Sequence, residues 1–275
     1  LLVILIGWEY VSFFVGICAG LIFSTLPIFL GLSQLVTVES ILVFFFTACV
    51  YSFLNLTKKF SVKNIIICGI LLGFAIATKY TNIMLIPLLA FVWYLFVRGG
   101  KKKKIFEKKL ITIPLIAFGV LFIIWPFPWF HLDYVLKWEH AIRFSEVASH
   151  PVPEVFFGRL VQVPIFYYFV YFLITTPFVV LILFLGGFKS ILGNKKWILY
   201  FLVIWSLFPF LQSFLNMRQH GIRYIIQIYA PLSLIAAIGL NYFLEKFRMK
   251  RLKSIFLLFV VIYMLVILKN ITPYY

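Results

Sequence analysis

Apolar blocks recur along nearly the whole chain, each near the ~20 residues that an α-helix needs to cross the hydrocarbon layer. None alternates with the two-residue period of a membrane barrel strand. A spanning backbone has no water to bond with and must satisfy its own hydrogen bonds, so helices follow. The pattern predicts an all-α, polytopic transmembrane helical bundle in one domain, residues 1–275, with about nine spans or half-spans. Expected helices run over about 10–25, 38–56, 110–125, 164–185, 197–215, 224–242 and 255–268, with Pro27 and Gly31 ending the first. Residues 64–97 split into two short helices that meet near 78–82.

Between these blocks, residues 127–163 form the longest polar stretch. Within it, 132–147 mixes apolar and charged positions as a surface amphipathic helix does. Residues 149–160, "SHPVPEVFFGRL", read as an irregular loop. The chain opens on "LLVILI" without Met or a signal-like charged start, which reads as the tail of an earlier span and a chain that begins partway.

Composition supports the membrane reading: 64% of residues are hydrophobic and 12% charged, against about a quarter charged in soluble domains. The net charge of +17 suggests nucleic acid until positions are considered. Eighteen of 25 basic residues fall in four short connectors, around 58–63, 98–109, 189–196 and 246–253. Cationic connectors are retained in the cytoplasm during insertion, and they attract anionic headgroups. Interleaved aromatics on a soluble basic surface are absent, so nucleic acid is excluded as a partner. Cys18, Cys49 and Cys68 lie in apolar blocks with no metal-like or disulfide-like spacing.

With those connectors inside, Lys79 falls at an external turn rather than at mid-bilayer. All four histidines and five of the eight acids share its side. Ionisable groups at the edge of spans mark function. Glu39 either complements a helix N-terminus or lines an external cavity. Lys79 either snorkels or binds a phosphate. Arg218, His220 and Arg223, in "NMRQHGIRY", run against the positive-inside trend and suit phosphate oxygens. Metal-motif spacing is lacking, so no cofactor is assigned beyond the option of a divalent metal. A transporter, a lipid flippase or a non-catalytic complex subunit are the rival readings.

In order, "GLIFSTLPIFLGLSQLVTVESILVFFFTACVYSFL", "GILLGFAIATKYTNIMLIPLL", "SHPVPEVFFGRL" and "HGIRYIIQIYAPLSLIAAIGL" resemble the dolichyl-phosphate-mannose–protein mannosyltransferases, glycosyltransferase family 39 of the GT-C superfamily. The resemblance implies a multispanning enzyme. It would move a sugar from a polyprenyl- or dolichyl-phosphate donor to a protein hydroxyl or glycolipid acceptor, with inversion, at the outer face of a prokaryotic plasma membrane. It also implies that the family's acidic catalytic loop precedes this chain, leaving Glu39 as the candidate base here. Lys79, Tyr80, His150, Glu154, Arg218, His220 and Arg223 are the expected substrate-binding residues.

Overall fold

A computed structural model of the chain describes residues 1–35, 37–101, 108–131, 153–162, 164–194, 196–215, 221–248 and 252–271. The amphipathic helix expected at 132–147 lies outside them. The chain begins with α1 (Leu2–Tyr10), α2 (Phe13–Ser24) and α3 (Pro27–Gln34). Ser12 caps α2 by accepting from the Val15 N–H at 3.3 Å. Pro27 begins α3, a first-turn position where its missing N–H costs nothing, and the chain bends by 54° there. Gly31 does not end the segment as expected, because α3 continues to Gln34.

Next come α4 (Glu39–Lys58), α5 (Val62–Thr78) and α6 (Leu85–Phe96), with a 3-10 turn over Tyr80–Met84 before α6. The expected pair of short helices meeting near 78–82 is therefore present. Glu39 opens α4 and Lys58 closes it, each sign complementing the helix dipole. Ser61 caps α5 through the Asn64 N–H. Lys58 also pairs with Glu9 at 2.6 Å, and the Tyr51 hydroxyl donates to the other Glu9 oxygen at 2.8 Å, tying α1 to α4.

Then α7 (Thr112–Ile124) and the short α8 (Phe127–Phe130) follow. Residues expected to be irregular instead include a hairpin of β1 (Glu154–Phe156) and β2 (Arg159–Val161), with Glu154 opposite Val161. Phe157 and Gly158 both take positive φ, 49° and 75°, as a two-residue hairpin turn demands. The sequence reading missed it because the strands are only three residues long.

The expected span 164–185 is two helices, α9 (Tyr167–Thr175) and α10 (Phe178–Leu192), bent by 113°. Pro177 cannot donate into the ladder. The Thr175 and Thr176 hydroxyls at the break reach the Tyr229 hydroxyl at 3.0 and 3.5 Å. The chain ends with α11 (Trp197–Leu207), 3-10 turns over Phe208–Leu215 and Ile222–Ile228, α12 (Tyr229–Lys246) and α13 (Lys253–Ile271).

By length and composition three helical segments can cross a membrane, or up to five if each bent pair is one span. Three shorter apolar helices accompany them. The segment containing α12 is 89% buried and forms the axis of the bundle. It crosses α10 in backbone contact. A Cβ at Gly239 would collide with the Leu183 carbonyl oxygen, and one at Gly187 with that of Ile235. Small residues give this close packing in lipid, where no hydrophobic drive exists between helices. Gly69 and Gly73 do the same for α5 against Ile116 and Val120 of α7.

Gly239→Leu should lower the melting temperature of the solubilised protein sharply, because overpacking typically costs about 1–3 kcal/mol and here meets backbone. Gly119→Ala, whose added Cβ meets nothing within 4 Å, should not lower it.

Candidate functional site

Because α4 and α5 are antiparallel neighbours, Glu39 and Lys79 stand at one end of the pair while Lys58 and Lys63 stand at the other. The turn after α5 is tied down by Asn82. Its side-chain amide donates to the Ala75 carbonyl at 2.7 Å, and its backbone N–H donates to Lys79 O at 2.9 Å. Lys79 itself is the C-cap residue in extended conformation, φ −155° and ψ 123°. Its side chain therefore leaves the helix at the point where the helix ends.

The third side of the site comes from the lead into α12. Gly221 has φ 69°, and its N–H donates to the Tyr167 hydroxyl at 2.9 Å. That bond anchors Arg223 and Tyr224 beside α9. Lys79 Nζ lies 4.0 Å from the centre of the Tyr224 ring, and the Arg223 guanidinium carbon lies 5.7 Å from it. A cation over an aromatic face keeps electrostatic stabilisation where water is scarce.

Burial pushes the Lys79 pKa down, the Glu39 charge opposes that shift, and Arg223 adds to it. Three ionisable groups from three parts of the chain thus share one field. Glu39 is only 6% exposed. It does not form an ion pair with Lys79, since Lys58–Glu9 is the contact pair among the described residues.

Three buried acceptor oxygens on these elements have no donor among the described residues: Glu39 Oε2, Asn82 Oδ1 and Gln227 Oε1. A buried polar atom left unpaired costs roughly 1–3 kcal/mol. The fourth such atom among the described residues, Trp205 Nε1, belongs to α11. Cations beside acceptors lacking donors suit a ligand that is anionic at one group and rich in hydroxyls at another.

Of the expected residues, Glu39, Lys79 and Arg223 come together. Tyr80 follows Lys79 and is half exposed, at 51%. Glu154 opens β1, and its charge reaches Tyr168, as does that of Arg223. That places it on the flank of the same site. His150, Arg218 and His220 lie outside the described residues. Sequence reasoning missed Asn82, Tyr224 and Gln227. An amide isolated in an apolar run is the signal that could have found Asn82 and Gln227. Among the described residues no three His, Cys, Asp or Glu side chains gather as a metal centre.

No curated protein and no solved structure gives a significant match to the chain. Residues 1–129 match the family model described as dolichyl-phosphate-mannose-protein mannosyltransferase. The matched region contains Glu39, Lys79, Tyr80 and Asn82, while Glu154, Arg223, Tyr224 and Gln227 follow it. Over residues 1–129, then, the chain is similar to the dolichyl-phosphate-mannose-protein mannosyltransferases, which are membrane glycosyltransferases.

Proposed function

We propose that the protein transfers a sugar from a polyprenyl- or dolichyl-phosphate donor to a hydroxyl of a protein or glycolipid acceptor, at the membrane face bearing Glu39, Lys79 and Arg223. The observation that carries this reading is the convergence of Lys79, Arg223 and Glu39 around Tyr224, beside buried acceptors that lack donors among the described residues. The family match over the first 129 residues supports it. The lysine-rich connectors favour placing this face outside the cell.

A lipid-linked sugar phosphate keeps its chain in the bilayer and its reactive carbon at the interface. The acceptor oxygen attacks the anomeric carbon, forming a new C–O bond as the bond from that carbon to the phosphate oxygen breaks, with inversion. A carboxylate takes the hydroxyl proton, and Glu39 is the candidate for that role within the described site. Lys79 and Arg223 hold the departing polyprenyl phosphate, whose negative charge grows as the bond breaks. The free oxygens of Asn82 and Gln227 receive sugar hydroxyl protons as hydrogen bonds.

Full-length protein in proteoliposomes, supplied with defined polyprenyl-phosphate sugars, should transfer sugar and release polyprenyl phosphate in equal amounts. Donor binding without transfer to any acceptor would overturn the enzymatic reading. Lys79→Ala should weaken donor binding by about 10- to 100-fold, since a hydrogen bond to a charged group contributes roughly 1.5–3 kcal/mol. Unchanged affinity would remove Lys79 from the phosphate site.

Glu39→Gln keeps the shape and loses the base, so turnover should fall by about 10²- to 10⁴-fold at little cost in donor affinity. Retained turnover assigns the base elsewhere. Because the Lys79 pKa is depressed, its charge is lost at lower pH than the ordinary 10.5. Donor affinity should therefore decline as pH rises toward that value. Lys79→Arg, which stays protonated, should abolish the decline in a binding titration.

A further inference from the structure

The lysine-rich end of the bundle, opposite Glu39 and Lys79, carries two apolar crevices on either side of the start of α7. The first, about 320 Å³, runs between α6 and α7, with Ala90, Trp93, Tyr94 and Pro114 in its walls. The second, about 470 Å³, runs between α5 and α7, with Ile66 and Leu115 in its walls and Lys109 at its edge. Arg98 donates from Nη1 to the Tyr94 hydroxyl at 3.3 Å, so its guanidinium stands at the mouth of the first crevice. Lys108 and Lys109 are exposed directly before Leu110, which lines that same crevice. Among the described residues no carboxylate lines either crevice.

We propose that these paired crevices bind one anionic glycerophospholipid, its two acyl chains on either side of α7 and its phosphate among Arg98, Lys108 and Lys109. Basic pockets between membrane helices on the cytoplasmic side hold anionic headgroups in this way. Two crevices beneath one cationic rim match a two-chain lipid. A polyprenyl phosphate has a single chain, and the phosphate site proposed for it lies at the far end of the 17-residue α5, roughly 25 Å away at 1.5 Å per residue. A zwitterionic lipid gains less from the three cations, because its own ammonium offsets its phosphate charge.

The test uses full-length protein, stripped of lipid in detergent and exposed to equimolar phosphatidylglycerol, phosphatidylcholine and polyprenyl phosphate, with bound lipid counted by native mass spectrometry. One phosphatidylglycerol per chain should be retained, with roughly tenfold preference over phosphatidylcholine. The double variant Arg98→Gln, Lys109→Gln should lose that preference. Ala90→Trp, at an exposed position that fills the first crevice, should abolish retention while donor binding at Lys79 stays intact. If that variant does not fold, Leu115→Trp at the second crevice carries the same expectation. Equal retention of the two phospholipids, occupancy by polyprenyl phosphate instead, or full retention in the folded tryptophan variant would each overturn the proposal. None of these outcomes depends on whether the Lys79 site transfers sugar.

Discussion

Backbone contact between α10 and α12 governs the arrangement of the C-terminal part of the bundle. Gly187 and Gly239 let each helix rest on a carbonyl of the other, at Ile235 and Leu183. Dispersion between tightly fitted surfaces supplies the attraction in lipid, and it falls steeply with any gap. A helix fixed that closely has little freedom to shift along its neighbour. The 3-10 turn that leads into α12 is fixed with it, and that turn delivers Arg223 and Tyr224 to the site. The bend at Pro177 belongs to the same arrangement, since Thr175 and Thr176 meet the Tyr229 hydroxyl at the first residue of α12.

At the site, the Lys79–Tyr224 contact joins two stretches of chain separated by well over a hundred residues. The lysine belongs to the region that matches the family model, and the tyrosine lies beyond it. An ammonium among apolar helices loses hydration, which is why burial is the largest influence on Lys79. The aromatic face and the more distant Glu39 charge offset part of that loss. Arg223 adds to it, so the site concentrates positive charge that an anionic ligand would relieve. The same logic applies to the unpaired oxygens of Glu39, Asn82 and Gln227. A fold that tolerates such groups keeps them ready for a partner of complementary chemistry.

The two ends of the bundle differ in how they treat charge. At the Lys58 end, Glu9 is satisfied twice, by Lys58 and by the Tyr51 hydroxyl, and the contacts are structural. At the Glu39 end, opposite charges sense each other without meeting. Exposed ion pairs contribute little to stability, so the Glu9 network fixes where α1 meets α4 more than how strongly they hold. The unsatisfied end is the one to which the proposed sugar transfer is assigned.

The sequence by itself determined that this is a helical membrane protein, where most helices fall, and that Lys79 stands at a turn. Those features are local: apolar length, charge at connectors, caps such as Ser12 and Ser61, and Pro27 act within a few residues. It also marked Glu39, Lys79 and Arg223 as unusual, because charge beside a span is costly wherever the chain goes. Only the tertiary structure decided that these three meet, and that Tyr224, Asn82 and Gln227 join them. The partners are distant in sequence, and an apolar run carries almost no information about which face meets which helix. The hairpin at 154–161 and the break at Pro177 escaped the sequence reading for related reasons. Three-residue strands have too few positions to show a period, and a proline marks a break without fixing its angle, which here accompanies the contacts of the Thr175 and Thr176 hydroxyls with Tyr229.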